Sequence, residues 1–371
     1  MEMLFLLLKL SLNMNKDEVE YSSHVLKNNK NENWKQLFNL SIRQGVLLLS
    51  YEGIQYLPAS LQPPRNLKLR WCVNVVKGKE RYDHYKEVIT KLSGLFFNNN
   101  LKLVLIKGIT IAELYPVPSL RESGDIDICL LEKAGQVDNL LETLGVRKEK
   151  GIPKHTTFFI DGIPIENHYT FFDTSLTFRR ERQLYQKMEN ILKGMLSEES
   201  YISINENNIF QLPPQAAALY IIGHTFRHFC CLDTNIRQLC DWTIFFSKYK
   251  NNIDYELLSS QVCELGLNDF VSHINDFCFL KLGFRPYFMA SPKMDTKAEL
   301  MILKTIMRYR VTPVIHVPVI GVIAYLFRRN NLYKRYLGRV NLSEFLLPEL
   351  KSYFLYLLKK RWRRVKKEIE A

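Results

Sequence analysis

The sequence predicts an α+β protein: a small mixed β-sheet core, flanked by N-terminal helices and followed by a helical C-terminal lobe. Three observations point there. Apolar residues recur at helical spacing through residues 1–98. The block 101–172 then changes to short apolar runs broken by Gly and Pro. From Ser175 onward the helical pattern returns and is almost unbroken. The expected divisions are a helical region at 1–98, a catalytic-type core at 99–185 and a helical lobe at 186–371.

The N-terminal region reads as helices. The run from Met3 to Leu8 is interrupted by Lys9 and has no small-residue cleavage site after it, so an amphipathic helix is expected rather than a leader or a span. Trp34, Leu37, Phe38, Ile42, Val46 and Leu47 continue the helical period. Pro58, Pro63 and Pro64 form a connector. A helix follows over 67–98, with Tyr82, Tyr85, Val88, Ile89, Leu92 and Leu95 on one side, and stops at Asn98–Asn100.

The central block reads as strand, helix, strand, helix, hairpin. "LKLVLIKG" is a buried strand ending in a glycine turn, and "ITIAELY" a short helix stopped by Pro116 and Pro118. "DIDICLLE" is the second strand, and "KAGQVDNLLETLG" a helix with Gly145 as its C-cap. Two strand-like arms around Asp161-Gly162 form a hairpin. Beyond it, Pro213 and Pro214 open a helix, and further helices are expected at 233–250, 254–265, 268–283 and 296–309. The apolar run 311–327, with Pro313 and Pro318 inside it, reads as a Pro-broken core segment; an interfacial or spanning segment is the alternative.

Composition sets wide bounds. The chain has 371 residues, 47% hydrophobic and 24% charged, enough for a large core. Its formal charge of +13 favours acidic partners such as nucleotides, nucleic acid or an anionic membrane, without choosing among them. Seven cysteines, none in a C-x-x-C and none at zinc-finger spacing, read as reduced thiols of a cytoplasmic protein.

The chemistry concentrates in a few acids. Asp125 and Asp127 are two apart on a strand and so point the same way, with Gly124 before them. Such a pair suits a divalent ion, Mg²⁺ or Mn²⁺, since hard cations take carboxylate and phosphate oxygens. A solvated strand end, or a turn salt bridge with Arg121, is the plainer reading. Lys107 and Gly108 stand where a strand turns into a helix, a place suited to phosphate. In the hairpin, Pro164, Glu166 and His168 share one face, and Ile163, Ile165 and Asn167 the other. Glu166 can therefore meet the two aspartates from a neighbouring strand.

These residues, taken together, resemble a known signature. "LIKGITIAELYPVPSLRESGDIDICL" is similar to that of the uncharacterised-nucleotidyltransferase family, within the polymerase-beta-like superfamily. The pattern falls on Lys107, Gly108, Ala112, Tyr115, Pro116, Arg121, Gly124, Asp125, Asp127, Glu166 and His168, and "NIRQLCDW" at 235–242 resembles the family's C-terminal lobe. The resemblance spans roughly residues 30–250 and implies a nucleotidyltransferase core. It implies Asp125, Asp127 and Glu166 as metal-binding catalytic acids, and Lys107, Gly108, Arg121, Gly124 and His168 as nucleotide-binding residues. It also implies an NTP, ATP among the choices, as donor of an NMP to a hydroxyl, with pyrophosphate as the alternative group transferred. The acceptor is left open among small molecule, sugar, peptide, protein and RNA. One departure stands out: the superfamily usually has Gly-Ser or Gly-Gly at the turn, where this chain has Gly108-Ile109. A catalytically inactive module of the same fold, binding nucleotide or a partner, is the alternative.

Residues further along line up less firmly. His224 and His228 are four apart on one helix face, as are Arg237 and Asp241, which are expected to pair; all four are cleft-lining candidates. The histidine pair lacks a third ligand for zinc, and a structural role for it is the plainer reading. The segment Lys351–Ala371 carries eight Lys or Arg against two Glu, with aromatics among them. It reads as a solvated helix, or as a contact with anionic membrane or nucleic acid that would make the protein peripheral to a membrane.

Overall fold

The computed structural model describes residues 1–12, 33–152, 154–176, 178–197, 199–205, 208–289, 295–307 and 319–338. The architecture is α+β. Helices α1 (Glu2–Ser11), α2 (Trp34–Arg43), α3 (Leu47–Gln55) and α4 (Arg65–Phe97) precede the sheet. The strands are β1 (Leu103–Leu105), β2 (Ile126–Cys129), β3 (Arg147–Ile152), β4 (His155–Ile160), β5 (Ile163–His168), β6 (Ile202–Asn205) and β7 (Ile209–Gln211). Between them run α5 (Ile109–Ala112), α6 (Ala134–Thr143) and α7 (Arg179–Gly194). The C-terminal helices are α8 (Pro214–Cys230), α9 (Ile236–Lys248), α10 (Tyr255–Glu264), α11 (Asn268–Leu282), α12 (Thr296–Met307) and α13 (Val319–Leu337).

The strands form one mixed sheet in the order β3-β4-β5-β2-β1-β7-β6. β2 is antiparallel to β1 and parallel to β5, and β1 is parallel to β7. One face of the sheet is dry. Leu103, Leu105, Ile126, Ile128, Phe158 and Ile165 pack there against Val88, Leu92 and Phe96 of α4 and Val137 and Leu141 of α6. A polar group on that side, the Asn167 amide, donates to Asp138 at 2.7 Å and to the Ala134 carbonyl at 2.8 Å. That ties α6 to β5, so the opposite face of β5 is held in a fixed orientation.

Helix α4 serves two layers. Its 33 residues extend about 50 Å. The second half covers the sheet, while Trp71 in the first half packs edge-on to Phe38 and Trp34 of α2, at 4.9 and 6.2 Å. The hairpin turn forms as its sequence dictates. Asp161 and Gly162 both have positive φ, +49° and +79°, which a two-residue turn between twisted strands requires.

Three expectations are corrected. The chain beyond Ser175 is not almost wholly helical, for β6 and β7 form a hairpin that completes the sheet beside β1. Strand β3 was not foreseen either; "RKEKGI" is a charged edge strand on β4 and carries little apolar alternation. Helix α1 is buried on almost every side rather than amphipathic, with Phe5 packing edge-on to Phe277 at 5.8 Å. Its backbone touches α3 so closely that a Cβ on Gly53 would sit 2.1 Å from the Leu7 carbonyl oxygen.

The apolar run 311–327 is only partly described: Val319 onward is helical in α13, while 311–318 and the basic segment 351–371 lie outside the described residues. Among the described residues no helix is long and apolar enough to cross a membrane. All seven cysteines are free.

Candidate active site

The site grows from adjacent strands. β2 and β5 run parallel with Asp127 opposite Glu166 and Cys129 opposite His168. Residues in register on neighbouring strands point to the same side, here the side away from the dry core. His168 lies fully buried between the two acids, its Nε2 2.9 Å from Asp127 Oδ1 and 3.4 Å from Glu166 Oε2. Asp125 stands just before β2. Carboxylate oxygens of Asp125, Asp127 and Glu166 all lie within 4.8 Å of one another.

The turn after β1 brings a cation to this cluster. Gly108 adopts φ +73°, a conformation that a side chain disfavours, and the chain turns there into α5. The preceding residue places the Lys107 ammonium 3.1 Å from Asp127 Oδ1. Asp127 itself is 0% exposed, and its other oxygen, Oδ2, is buried without a hydrogen-bond partner. A buried carboxylate oxygen with no donor is costly, and a divalent cation at this point would satisfy it. The donor set, three carboxylates close together, is the kind Mg²⁺ or Mn²⁺ takes.

Electrostatics separate the two aspartates. The neighbouring Asp127 charge, then burial, push the Asp125 carboxyl up. Burial acts in the same direction on Asp127, but Lys107 and His168 outweigh it and hold its carboxyl well below the usual range. Burial opposes the charge on Lys107, yet Asp127, Asp125 and Glu166 together raise its ammonium pKa.

Most of the other predicted residues come to one cleft, Arg121 and Asp241 among them, and several are engaged there by protein partners. A narrow cleft is lined by Lys107, Gly108, Gly124, Asp125, Asp127 and His224. Arg237 also reaches this cleft, but its guanidinium donates to the Glu122 carbonyl at 2.7 Å and does not pair with Asp241 as its spacing had indicated. The partner of Asp241 is Arg121. Nε and Nη2 of Arg121 donate to its two oxygens at 3.0 and 2.7 Å, and the Tyr115 hydroxyl adds a third bond at 2.7 Å. The reason is geometric: α9 turns Asp241 inward to the sheet, and Arg121, itself 7% exposed, comes up from the loop before β2. His224 faces the cleft, while His228, its ring 4.4 Å away, is held by Asp233 at 2.8 Å.

Sequence reasoning missed Lys154. It is half-buried, near Lys107, Asp127 and Glu166, and burial with the Lys107 charge pushes its ammonium down to about 8. Its position just before the hairpin gave no motif to find it by.

A comparison with known families settles the relationship. A family model described as "Uncharacterised nucleotidyltransferase" matches residues 30–282. The chain belongs to this family. No curated protein and no solved structure matches it. The matched span of this nucleotidyltransferase family member takes in the whole sheet, the acidic cluster and helices α2 to α11.

Proposed function

We propose that the protein transfers an NMP from an NTP, such as ATP, to a hydroxyl of an acceptor, with Asp125, Asp127 and Glu166 holding Mg²⁺ or Mn²⁺. The observation that carries this is the acidic triplet with one orphaned buried oxygen and a lysine ion-paired to the same acid. When bound, the metal would neutralise phosphate charge and orient the leaving pyrophosphate.

The chain's own residues do the rest. His168 fixes the orientation of Asp127 from a position without solvent access, so its part is to position that acid rather than to touch nucleotide. Lys107 balances Asp127 while the site is empty of nucleotide and is free to turn to the β- and γ-phosphates when they arrive. The Gly108 turn leaves room for phosphate beside the backbone, which offsets the absence of the usual Ser or Gly after it. Lys154 adds positive charge for the triphosphate. Glu166, more exposed than the Asp127 it faces across the strand pair, is placed to take the acceptor proton. A neighbouring cleft bordered by Tyr82, Tyr85, Lys77, Arg81 and Ser123 is the proposed acceptor entry.

The test is to incubate the protein with α-³²P-labelled NTPs, Mg²⁺ and a host lysate. Transfer of label to a discrete acceptor, lost in Asp127→Asn, is the expected result; no labelled species with any NTP would refute the reading.

A further inference from the structure

The acidic face does not end at β5. β4 lies on the other side of β5 from β2, and His155 is in register with His168. Three neighbouring strands therefore present one row of ligand-type side chains: Asp127 on β2, Glu166 and His168 on β5, and His155 on β4. Glu166 lies between two donor sets. One is the aspartate pair. The other is a pair of imidazoles, whose ring centroids are 5.0 Å apart.

The second set has the dimensions of a metal site. His155 Nδ1 is 3.5 Å from Glu166 Oε2, and His168 Nε2 is 3.4 Å from the same oxygen. His168 Nε2 bonds Asp127 at 2.9 Å, and on taking the ion it would lose its proton and exchange that bond for the metal. Ligand atoms at about 2.0–2.1 Å from a tetrahedral zinc ion are about 3.3 Å apart, whereas octahedral Mg²⁺ brings its oxygens to about 3 Å. One ligand atom from each of the three residues lies within 4.8 Å of the other two. His155 Nδ1 is buried and has no hydrogen-bond partner. With the His155 proton on the far nitrogen, the Nδ1 lone pair faces the Glu166 carboxylate, and a cation between them would engage both.

We propose that His155, His168 and Glu166 form a second cation site, selective for a zinc-class divalent transition ion, that shares Glu166 with the aspartate site. Two imidazoles and a carboxylate favour such ions over Mg²⁺ or Ca²⁺. The linear sequence hides the site, since its ligands come from two strands and fit no zinc-finger spacing. The proposal builds on the nucleotidyltransferase reading only in sharing Glu166 and His168, and it can be tested separately.

Chelator-treated full-length protein would be titrated with Co²⁺ in the presence of millimolar Mg²⁺. The expected result is one equivalent bound, with the visible absorption of four-coordinate cobalt. His155→Ala should lower cobalt affinity at least tenfold and bleach those bands, with the circular dichroism unchanged. His155→Cys should restore binding and add a near-ultraviolet thiolate-to-cobalt band. His224→Ala should leave the spectrum as it is. Substoichiometric or colourless cobalt binding by the wild type would overturn the site, as would equal affinity in wild type and His155→Ala. Calorimetry of Mg²⁺–NTP binding reads the aspartate site independently. A protein that binds cobalt as described but takes no Mg²⁺–NTP would refute the transferase reading and uphold this one.

Discussion

The ammonium of Lys107 lies 3.1 Å from Asp127 Oδ1, and the same oxygen accepts from His168 at 2.9 Å. One buried carboxylate oxygen is thus held by two donors from two other strands' ends, while its twin has none. This arrangement keeps Asp127 ionised and leaves one oxygen ready for a cation.

Lys107→Ala should weaken Mg²⁺–NTP binding tenfold or more by calorimetry, since a phosphate-facing charge is lost. The variant should still fold, because His168 remains on Asp127. Its unfolding free energy should fall by about 1–3 kcal/mol as a buried acid loses one partner. Equal NTP affinity in variant and wild type would remove Lys107 from the phosphate site.

The two aspartates should respond oppositely to neutralisation. Asp127→Asn should destabilise the nucleotide-free protein, for it breaks the Lys107 ion pair. Asp125→Asn should leave that protein as stable or more so, because Asp125 bears the repulsion. Both should abolish the stabilisation that Mg²⁺–NTP gives the wild type, about 2.7 kcal/mol at a ligand concentration 100-fold above Kd. Thermal melts with and without ligand would show whether the order is reversed.

The pH dependence follows from the same pair. Asp127, with its carboxyl depressed in the folded state, contributes stability that is present above the unfolded carboxylate pKa of about 3.9 and is lost as pH falls below it. Asp125, with its carboxyl raised, acts in reverse: stability declines as pH rises from about 3.9 through its folded value. Asp125→Asn should therefore gain on wild type towards pH 7 and lose that advantage in acid. Urea unfolding at a series of pH values measures it, and a constant difference across the range would contradict the assignment.

Asp241→Ala should be among the most damaging single changes outside the acidic cluster. It strands the buried Arg121 guanidinium and removes the Tyr115 bond, at a cost of about 3–5 kcal/mol. Arg237→Ala, which gives up a bond to the Glu122 carbonyl, should cost about 1 kcal/mol. Denaturant titration of both variants would show a reversed ranking if Arg237 were the true partner of Asp241.

The acids were legible because their spacing is chemical: D-x-D on a strand and an acid beside a histidine on another. Long helices with strong periodicity were legible for the same reason, and α10 and α11 fall almost where the pattern put them. What could not be read was pairing across the fold. Arg237 and Asp241 sit four apart, yet burial turns Asp241 to Arg121, 120 residues away. The His224–His228 face divides because Asp233 captures one ring. Strands β6 and β7 are four and three residues long, too short for alternation to declare itself.

The parallel pairing of β1 with β7 bears on how the chain is made. β1 carries Lys107 at its end and has three residues, paired on one side with β2. Its other side is closed by residues 209–211, more than a hundred positions later. As the chain leaves the ribosome, Leu103–Leu105 keeps an open row of backbone donors and acceptors until that late hairpin arrives. Such a bare edge invites a strand from another nascent copy. A fragment ending at 185 would carry the acids but keep this edge open permanently, and so would be prone to aggregate where the longer chain closes on itself.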